Sequence, residues 1–138
     1  MNIYFACSIT GGREFESVYQ AIVEALVMGG HQVPTAHLAE SSVGVVEAVL
    51  DPQTVYTRDV DWISASDMLL AEVSVPSHGV GYEIGFALGI GKPVLALYQQ
   101  GRKVSKMISG NPDAHLQVKA YQDPAEAVYL IKEFLSNI

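Results

Sequence analysis

The sequence predicts an α/β fold, a doubly wound parallel sheet of five strands in a three-layer sandwich of Rossmann or flavodoxin-like type. Two observations support this prediction. Apolar runs typical of buried parallel strands recur along the chain, and segments with helical apolar spacing separate most of them. Gly, Pro and Ser residues lie where the strands and helices meet. The 138 residues are long enough for a hydrophobic core, and we expect one domain spanning 1–138.

The individual elements follow from local signals in the chain. Gly29 and Gly30 end the first predicted helix, which covers 14–28. Asp51 followed by Pro52 begins another helix, which reaches about residue 64, and Pro124 begins the closing helix. Residues 40–50 are less regular and predict a loop or short helix covering a site. The predicted strands span 2–7, 31–33, 68–73, 93–98 and 117–121, and a helical turn is expected around 104–108.

Composition excludes several classes of partner. The net charge of −7 argues against a sequence-independent nucleic-acid binder, which needs a basic face. No apolar run is long enough to span a bilayer, and the first residues lack the basic region of a signal peptide. The single cysteine, Cys7, excludes an internal disulfide and fits a reducing compartment. We therefore expect a cytoplasmic protein that binds neither nucleic acid nor membrane.

The segment 74–89 is the most informative part of the chain. It follows an apolar run and contains Ser77, His78 and two glycines, Gly79 and Gly81, before a helical pattern. Such a strand–loop–helix unit directs backbone N–H groups at a ligand above the strand. Glu83 is expected near the first turn of that helix, where the helix dipole favours an ionised carboxylate. A first-turn acid can equally serve helix stability alone.

Two further side chains are candidates for chemistry. Asp59 shares a predicted helix face with Val55 and Trp62, so we expect it to be at least half buried, where a carboxylate needs a partner or a function. Tyr4 lies in the first strand, whose end is near the proposed site, and a buried phenol needs a hydrogen-bond partner. Taken alone, Tyr4 is more simply a core residue.

Two weaker candidates lie at the ends of predicted elements. His37 follows the second predicted strand, where ligands of open α/β sheets bind, although a lone histidine is more often structural. Ser105 precedes a predicted helical turn and offers a hydroxyl either to an anion or only to the helix end. The glycine-containing loop 8–13 matches neither nucleotide-binding glycine fingerprint, and no metal-ligand spacing occurs. We therefore predict no cofactor and no metal.

Four segments together resemble one family. Residues 3–13, 59–62, 71–85 and 101–105 are similar to the 2′-deoxynucleoside 5′-monophosphate N-hydrolases of the nucleoside 2-deoxyribosyltransferase superfamily. The most specific part is P-S-x-G-V-G-Y-E-x-G over residues 76–85, and the resemblance extends along essentially the whole chain. It implies hydrolysis of the N-glycosidic bond of a small-molecule deoxynucleotide, giving free base and 2-deoxyribose 5-phosphate.

The resemblance also implies a role for individual residues. Glu83 matches the nucleophile that forms a glycosyl-enzyme intermediate, Asp59 the acid that engages the base, and Tyr4 the phenol that holds the nucleophile. Tyr4 in place of phenylalanine also favours a 2′-deoxy sugar in this family. The residues that match the family's 5′-phosphate-binding groups are Ser77, Gly79 and Ser105.

The remaining matches concern the partner subunit, the base and the sugar. In the family, the residue that Ser105 matches reaches the phosphate from the partner subunit, so a homodimer is implied. The residues that match positions around the base and sugar are Ser8, Ile9, Thr10, Gly11 and His37. Thr10 stands where these hydrolases carry an arginine, and Cys7 where they carry a glycine.

Two alternative functions stay open. A nucleoside 2-deoxyribosyltransferase would use the same intermediate but pass the sugar to a second base. Ser77 and Ser105 favour the hydrolase, because the superfamily's transferases take nucleosides without phosphate. A non-catalytic nucleotide sensor would keep the pocket for binding alone. The set of Tyr4, Asp59 and Glu83 argues against a sensor, since binding needs no carboxylate beneath the sugar.

Overall fold

The computed structural model describes residues 1–9 and 14–138, in which helices cover both faces of a parallel sheet. The strands are β1 (Ile3–Ala6), β2 (Met68–Glu72), β3 (Val94–Gln99) and β4 (Leu116–Tyr121), in the spatial order β1-β2-β3-β4. The helices are α1 (Glu16–Met28), α2 (Val43–Ala48), α3 (Pro52–Ala65), α4 (His78–Gly89), α5 (Lys106–Ser109) and α6 (Pro124–Leu135), with a 3₁₀ helix at Ala36–Ala39. The predicted parallel α/β architecture is confirmed.

Alternate residues of β1 enter two separate cores. Ile3 and Phe5 pack into a cluster that includes buried side chains of α1 and α6. Tyr4 and Ala6 point to the opposite face, into a cluster that includes buried side chains of α3 and α4. Helices therefore cover both faces of the sheet, and Tyr4 faces the layer that contains α3 and Asp59.

The prediction of five strands is wrong, because residues 31–33 do not form a strand. Gln32 makes only an isolated parallel bridge with Asn2, at the outer edge of β1. Further along that edge, the Phe5 N–H donates to the Thr35 side-chain hydroxyl at 2.9 Å rather than to a backbone carbonyl. Pro34 lies between them and has no N–H to extend the ladder. Four strands remain in the described part of the chain.

The local signals at helix ends are confirmed. The Asp51 carboxylate accepts a hydrogen bond from the Thr54 N–H at 3.0 Å, and Pro52 is the first residue of α3. Gly30, after the end of α1, has a φ of +81°, a conformation that side chains disfavour. For residues 40–50 a loop or a short helix is expected, and they contain the short helix α2. Across the described ranges, every helix is too short or too polar to cross a lipid bilayer.

Candidate active site

A hydrogen bond between Tyr4 and Glu83 forms the centre of the candidate site. Tyr4 of β1 is completely buried, and its hydroxyl donates to Oε1 of Glu83 on α4 at 2.7 Å. Burial, then the nearby charges of Glu83 and Asp59, raise the pKa of Tyr4 above its ordinary value. The phenol therefore stays protonated at neutral pH and keeps donating to the carboxylate.

The expectation that the helix dipole keeps Glu83 ionised is wrong. Glu83 is the sixth residue of α4 and lies in the second turn, beyond the reach of the helix N-terminus. The pKa of Glu83 is raised from 4.5 to about 7, chiefly by burial and also by the charge of Asp59. The hydrogen bond from Tyr4 and the charge of Arg58 act in the opposite direction. Glu83 is therefore divided between its protonated and ionised forms near neutral pH.

Asp59 lies close enough to influence both groups of this pair. Its side chain is 19% exposed, so the prediction that it is at least half buried is confirmed. Burial raises the pKa of Asp59, although a hydrogen bond from Arg58 Nε to Oδ1 at 2.8 Å opposes the shift. Because the charge of Asp59 raises the pKa values of Tyr4 and Glu83, the three residues share one electrostatic environment.

Sequence reasoning missed two residues, Arg58 and Glu47. The Arg58 guanidinium donates to both carboxylate oxygens of Glu47, at 3.0 and 3.2 Å, and lies 4.8 Å from the centre of the Trp62 ring. The position of Arg58, next to Asp59 and four residues before Trp62, was a usable signal. No signal in the sequence around Glu47 predicts its place in the site, because its hydrogen bonds with Arg58 connect α2 to α3.

His37 belongs to the same network. Its Nε2 lies 2.8 Å from Oε1 of Glu47, and its ring meets the Trp62 ring edge to face at a centroid distance of 6.0 Å. Although burial raises the pKa of Glu47, the hydrogen bonds from Arg58 and His37 lower it below its ordinary value. The structure thus connects His37 to Asp59 through Glu47 and Arg58.

The start of α4 offers backbone donors to an anion. Ser77 is the N-cap of this 12-residue helix, and its hydroxyl accepts from the Val80 N–H at 3.3 Å. Gly79 is exposed in the first turn, where an added Cβ would approach only the Ser77 hydroxyl, at 3.9 Å, among the described atoms. A ligand can therefore come close to the N–H groups of this turn.

Ser105 lies near Ser77 but on another side of α4 from Glu83. It is the exposed N-cap of α5, and together with Ser77 it lines a cavity of about 480 Å³. Gly81 and Gly85 of α4 line the same cavity. Glu83 is two positions from each glycine, which places it roughly 200° around the helix. Within one chain, the structure therefore does not bring Ser105 to Glu83.

The loop after β1 is described only in part. Ser8 is completely buried, and Ile9 packs against the core cluster on the α1 and α6 side of the sheet. Thr10 and Gly11 lie outside the described residues. The contacts of these four residues with a ligand stay predictions. In residues 1–9 and 14–138, no three His, Cys, Asp or Glu side chains are placed to hold a metal ion.

Comparison with known proteins identifies the family. A family model described as nucleoside 2-deoxyribosyltransferase matches residues 3–126, which include β1, α4 and most of the remaining elements. This chain belongs to the nucleoside 2-deoxyribosyltransferase family. The resemblance seen in the four sequence segments is thereby confirmed.

Members of this family and their structural neighbours carry related names. A protein of Methanosarcina mazei, provisionally named 2′-deoxynucleoside 5′-phosphate N-hydrolase 1, is 39% identical over 134 residues, covering 97% of this chain and 83% of its own. The 5-hydroxymethyl-dUMP N-hydrolase of Esox lucius is 38% identical over 144 residues, covering 100% of this chain and 98% of its own. A CMP N-glycosidase structure from Clostridium botulinum has a TM-score of 0.75 over 97% of this chain and 99% of its own. At 19% identity, it supports the fold alone.

Proposed function

We propose that this member of the nucleoside 2-deoxyribosyltransferase family is an N-glycosidase that hydrolyses 2′-deoxynucleoside 5′-monophosphates to free base and 2-deoxyribose 5-phosphate. The observation that carries the proposal is the hydrogen bond from buried Tyr4 to Glu83, beside a second carboxylate, Asp59. The names of the Methanosarcina and Esox relatives, both deoxynucleotide N-hydrolases, support the same reaction class.

The first chemical step uses both carboxylates. Departure of the base builds positive charge at C1′ of the sugar, and ionised Glu83 stabilises that charge and bonds to C1′. The electron pair of the breaking C1′–N bond goes to the base, and Asp59 supplies a proton to it. The burial that raises the pKa of Asp59 suits this role, because it favours the protonated form of the acid.

The second step returns the enzyme to its starting state. Water attacks C1′ of the glycosyl ester, Asp59 takes a proton from that water, and Glu83 leaves as a carboxylate. Tyr4 donates its hydrogen bond to Glu83, which helps that carboxylate to act as a leaving group. The products are the free base and 2-deoxyribose 5-phosphate, and no cofactor enters the balance.

Backbone N–H groups and hydroxyls provide the phosphate site in this proposal. An acidic chain with a net charge of −7 suits a phosphate site that relies on a helix N-terminus more than on basic side chains. Ser77 and Gly79 lie at the start of α4 and would contact the 5′-phosphate. The residues proposed to surround the base and sugar are Ser8, Ile9, Thr10, Gly11 and His37.

The active unit in this proposal is a homodimer in which Ser105 of the partner subunit completes the phosphate site. The placement of Ser105 away from Glu83 in its own chain supports this arrangement. Gly81, Gly85 and Gly89 are exposed and four positions apart, and described atoms leave open space where each Cβ would be. Such a stripe lets a second helix approach closely. The single cysteine of the chain, Cys7, is consistent with a cytoplasmic location, which stays a prediction.

A transferase is the second candidate, because the family description itself names deoxyribosyl transfer. It would share the ester on Glu83, with a second base taking the place of water. The wild-type protein should be incubated with each of the four deoxynucleoside monophosphates, with and without a second free base. Release of 2-deoxyribose 5-phosphate supports the hydrolase, whereas a new nucleotide formed from the added base supports the transferase.

The role of Glu83 provides the decisive variant for this proposal. Glu83→Gln and Glu83→Ala should abolish base release while nucleotide binding persists, because loss of a covalent nucleophile raises the barrier by about 4 kcal/mol or more. Glu133→Gln is the matched control, since it removes only a surface carboxylate paired with Lys119. Near-normal turnover in either Glu83 variant would contradict the assignment.

A further inference from the structure

Arg58 uses its whole guanidinium group inside the site. Its Nε donates to Asp59 Oδ1 at 2.8 Å, and its two terminal nitrogens donate to the two oxygens of Glu47. One face of the group lies over the Trp62 ring. A planar group held along both edges and over one face has little freedom to rotate. Arg58 is therefore a rigid connection between α2 and the carboxylate of Asp59.

This connection leaves the second oxygen of Asp59 available. Among residues 1–9 and 14–138, Arg58 donates to Oδ1 and no side chain or backbone group donates to Oδ2. A carboxyl group that is fixed through one oxygen presents its other oxygen in a defined direction. In Asp59, Oδ1 is thus held by Arg58, and Oδ2 is free of described donors and can face a ligand.

We propose that Arg58 is a positioning residue, fixed by Glu47 and the Trp62 ring, that orients the Asp59 carboxyl group toward the departing base. This inference rests on the proposed function, in which Asp59 gives the base its proton. Arg58 does not contact the reacting atoms and acts only through Asp59. Glu47 in turn fixes Arg58, and so α2 takes part in the site without contacting the sugar.

The charges around Asp59 support this role. The groups that face it are Arg58, Glu47 and His37, together with Tyr4 and Glu83 across the site. Arg58 is the cation that hydrogen-bonds to both Glu47 and Asp59, and their hydrogen bonds raise its pKa in spite of burial. Without Arg58, the Asp59 carboxyl group would lose its fixed orientation and its main compensating charge together.

The test compares leaving groups that do and do not need a proton. The first substrate is the deoxynucleotide that the wild type cleaves fastest, and the second is 2-deoxyribose 5-phosphate bearing a 4-nitrophenolate leaving group. Arg58→Met should lower kcat about 100-fold on the deoxynucleotide, with KM nearly unchanged, because a displaced acid protonates the base poorly. On the nitrophenolate substrate the rate of the first step, measured as the initial burst of nitrophenolate before steady state, should change little, since that group departs without a proton. The burst is measured in place of kcat, because the later attack of water uses Asp59 with both substrates.

A double variant separates positioning from general damage. If Arg58 acts only through Asp59, then adding Arg58→Met to Asp59→Asn should lower kcat no further. Arg58→Lys keeps the charge without the fork and should show the same dependence on leaving group. Glu47→Gln should show it more weakly, and it provides the same test if the Arg58 variants do not fold. Lys119→Met, in a surface ion pair, is the control and should leave both rates unchanged.

The outcomes distinguish this inference from the proposed function. A nitrophenolate burst slowed as much as kcat on the deoxynucleotide, or a full additional loss of kcat in the Asp59→Asn background, would overturn the positioning role while leaving the N-glycosidase intact. A wild-type protein that releases no base from any deoxynucleotide would overturn both.

Discussion

The hydroxyl of Tyr4 reaches Oε1 of Glu83 at 2.7 Å, although the two residues are 79 positions apart in the chain. This hydrogen bond joins the first strand to α4 and lowers the pKa of the Glu83 carboxyl group, which burial raises; the resulting value is about 7. The ionisation of Glu83 therefore depends on a balance between burial and the charge of Asp59 on one side and the Tyr4 phenol and the charge of Arg58 on the other. This balance allows pH to be used as a probe of the site.

Removal of the Tyr4 hydroxyl should shift the pH profile of the reaction. In the wild type, kcat/KM should rise with pH through about 7 as Glu83 loses its proton. Tyr4→Phe removes a hydrogen bond that favours the ionised form, so the rising limb should move to higher pH. Measuring kcat/KM for base release across pH checks this. A limb that stays in place would show that Glu83 is not the titrating group.

The raised Glu83 pKa also predicts how stability changes with pH. With a pKa of 4.5 unfolded and about 7 folded, Glu83 binds more protons in the folded state between these values. Its contribution is therefore favourable at low pH and is lost as pH rises through about 7. Glu83→Gln lacks this loss. The free energy of unfolding of Glu83→Gln, minus that of the wild type, should therefore be about 3 kcal/mol larger above pH 7 than below pH 4.5.

Urea unfolding of both proteins across pH measures this difference. Glu133→Gln, at the surface ion pair, should follow the wild-type curve and controls for removal of a charge. Curves for Glu83→Gln and wild type that stay parallel at every pH would mean that burial does not raise the Glu83 pKa.

Ser77→Ala should weaken selection for the phosphate. Loss of the N-cap costs about 1 kcal/mol of stability and removes a proposed phosphate ligand, so KM should rise for deoxynucleoside monophosphates and not for unphosphorylated deoxynucleosides. Asp123→Ala is a matched control, because Asp123 caps α6 through the Glu126 N–H at 2.9 Å. It should lose similar stability with no change in KM. Equal wild-type rates on a deoxynucleoside and its monophosphate would contradict the phosphate site.

Selection for the sugar is a companion expectation for the wild type. Deoxynucleoside monophosphates should be cleaved far faster than ribonucleotides, since the family resemblance associates Tyr4 with a 2′-deoxy sugar. Comparing kcat/KM for a deoxynucleotide and its ribonucleotide counterpart checks this. Similar values for the two sugars would remove that role from Tyr4.

Mixing two inactive variants tests whether the sites are shared. Glu83→Ala and Ser105→Ala chains should be dissociated, mixed and reassociated. If Ser105 of the partner subunit completes each pocket, one pocket of every mixed dimer carries both defects and the other carries neither. Activity should then approach one intact site per mixed dimer. With subunit exchange confirmed, activity no higher than the sum of the separate variants would place Ser105 in its own chain's site.

Much of this protein follows from its sequence because the determining signals are local. Apolar runs that alternate along the chain with helical patterns predict a parallel α/β fold. Asp51 and Pro52 define a helix start through hydrogen bonds that span only a few residues. The sequence likewise determined which side chains were candidates: the structure brings Tyr4, Asp59 and Glu83 into one environment. Spacing along a helix was sufficient to expect Asp59 to be at least half buried.

Tertiary structure decided the features that depend on which distant groups meet. The Thr35 hydroxyl takes the place of a strand carbonyl beside β1. Residues 1–9 and 14–138 therefore form a four-stranded sheet, whereas the apolar runs of the sequence predict five strands. Desolvation by the surrounding fold, which no residue spacing encodes, raises the pKa of Glu83 against the expectation from the helix dipole. The bridge from Glu47 through Arg58 to Asp59 exists only because α2 folds against α3, which brings together groups that the chain keeps apart.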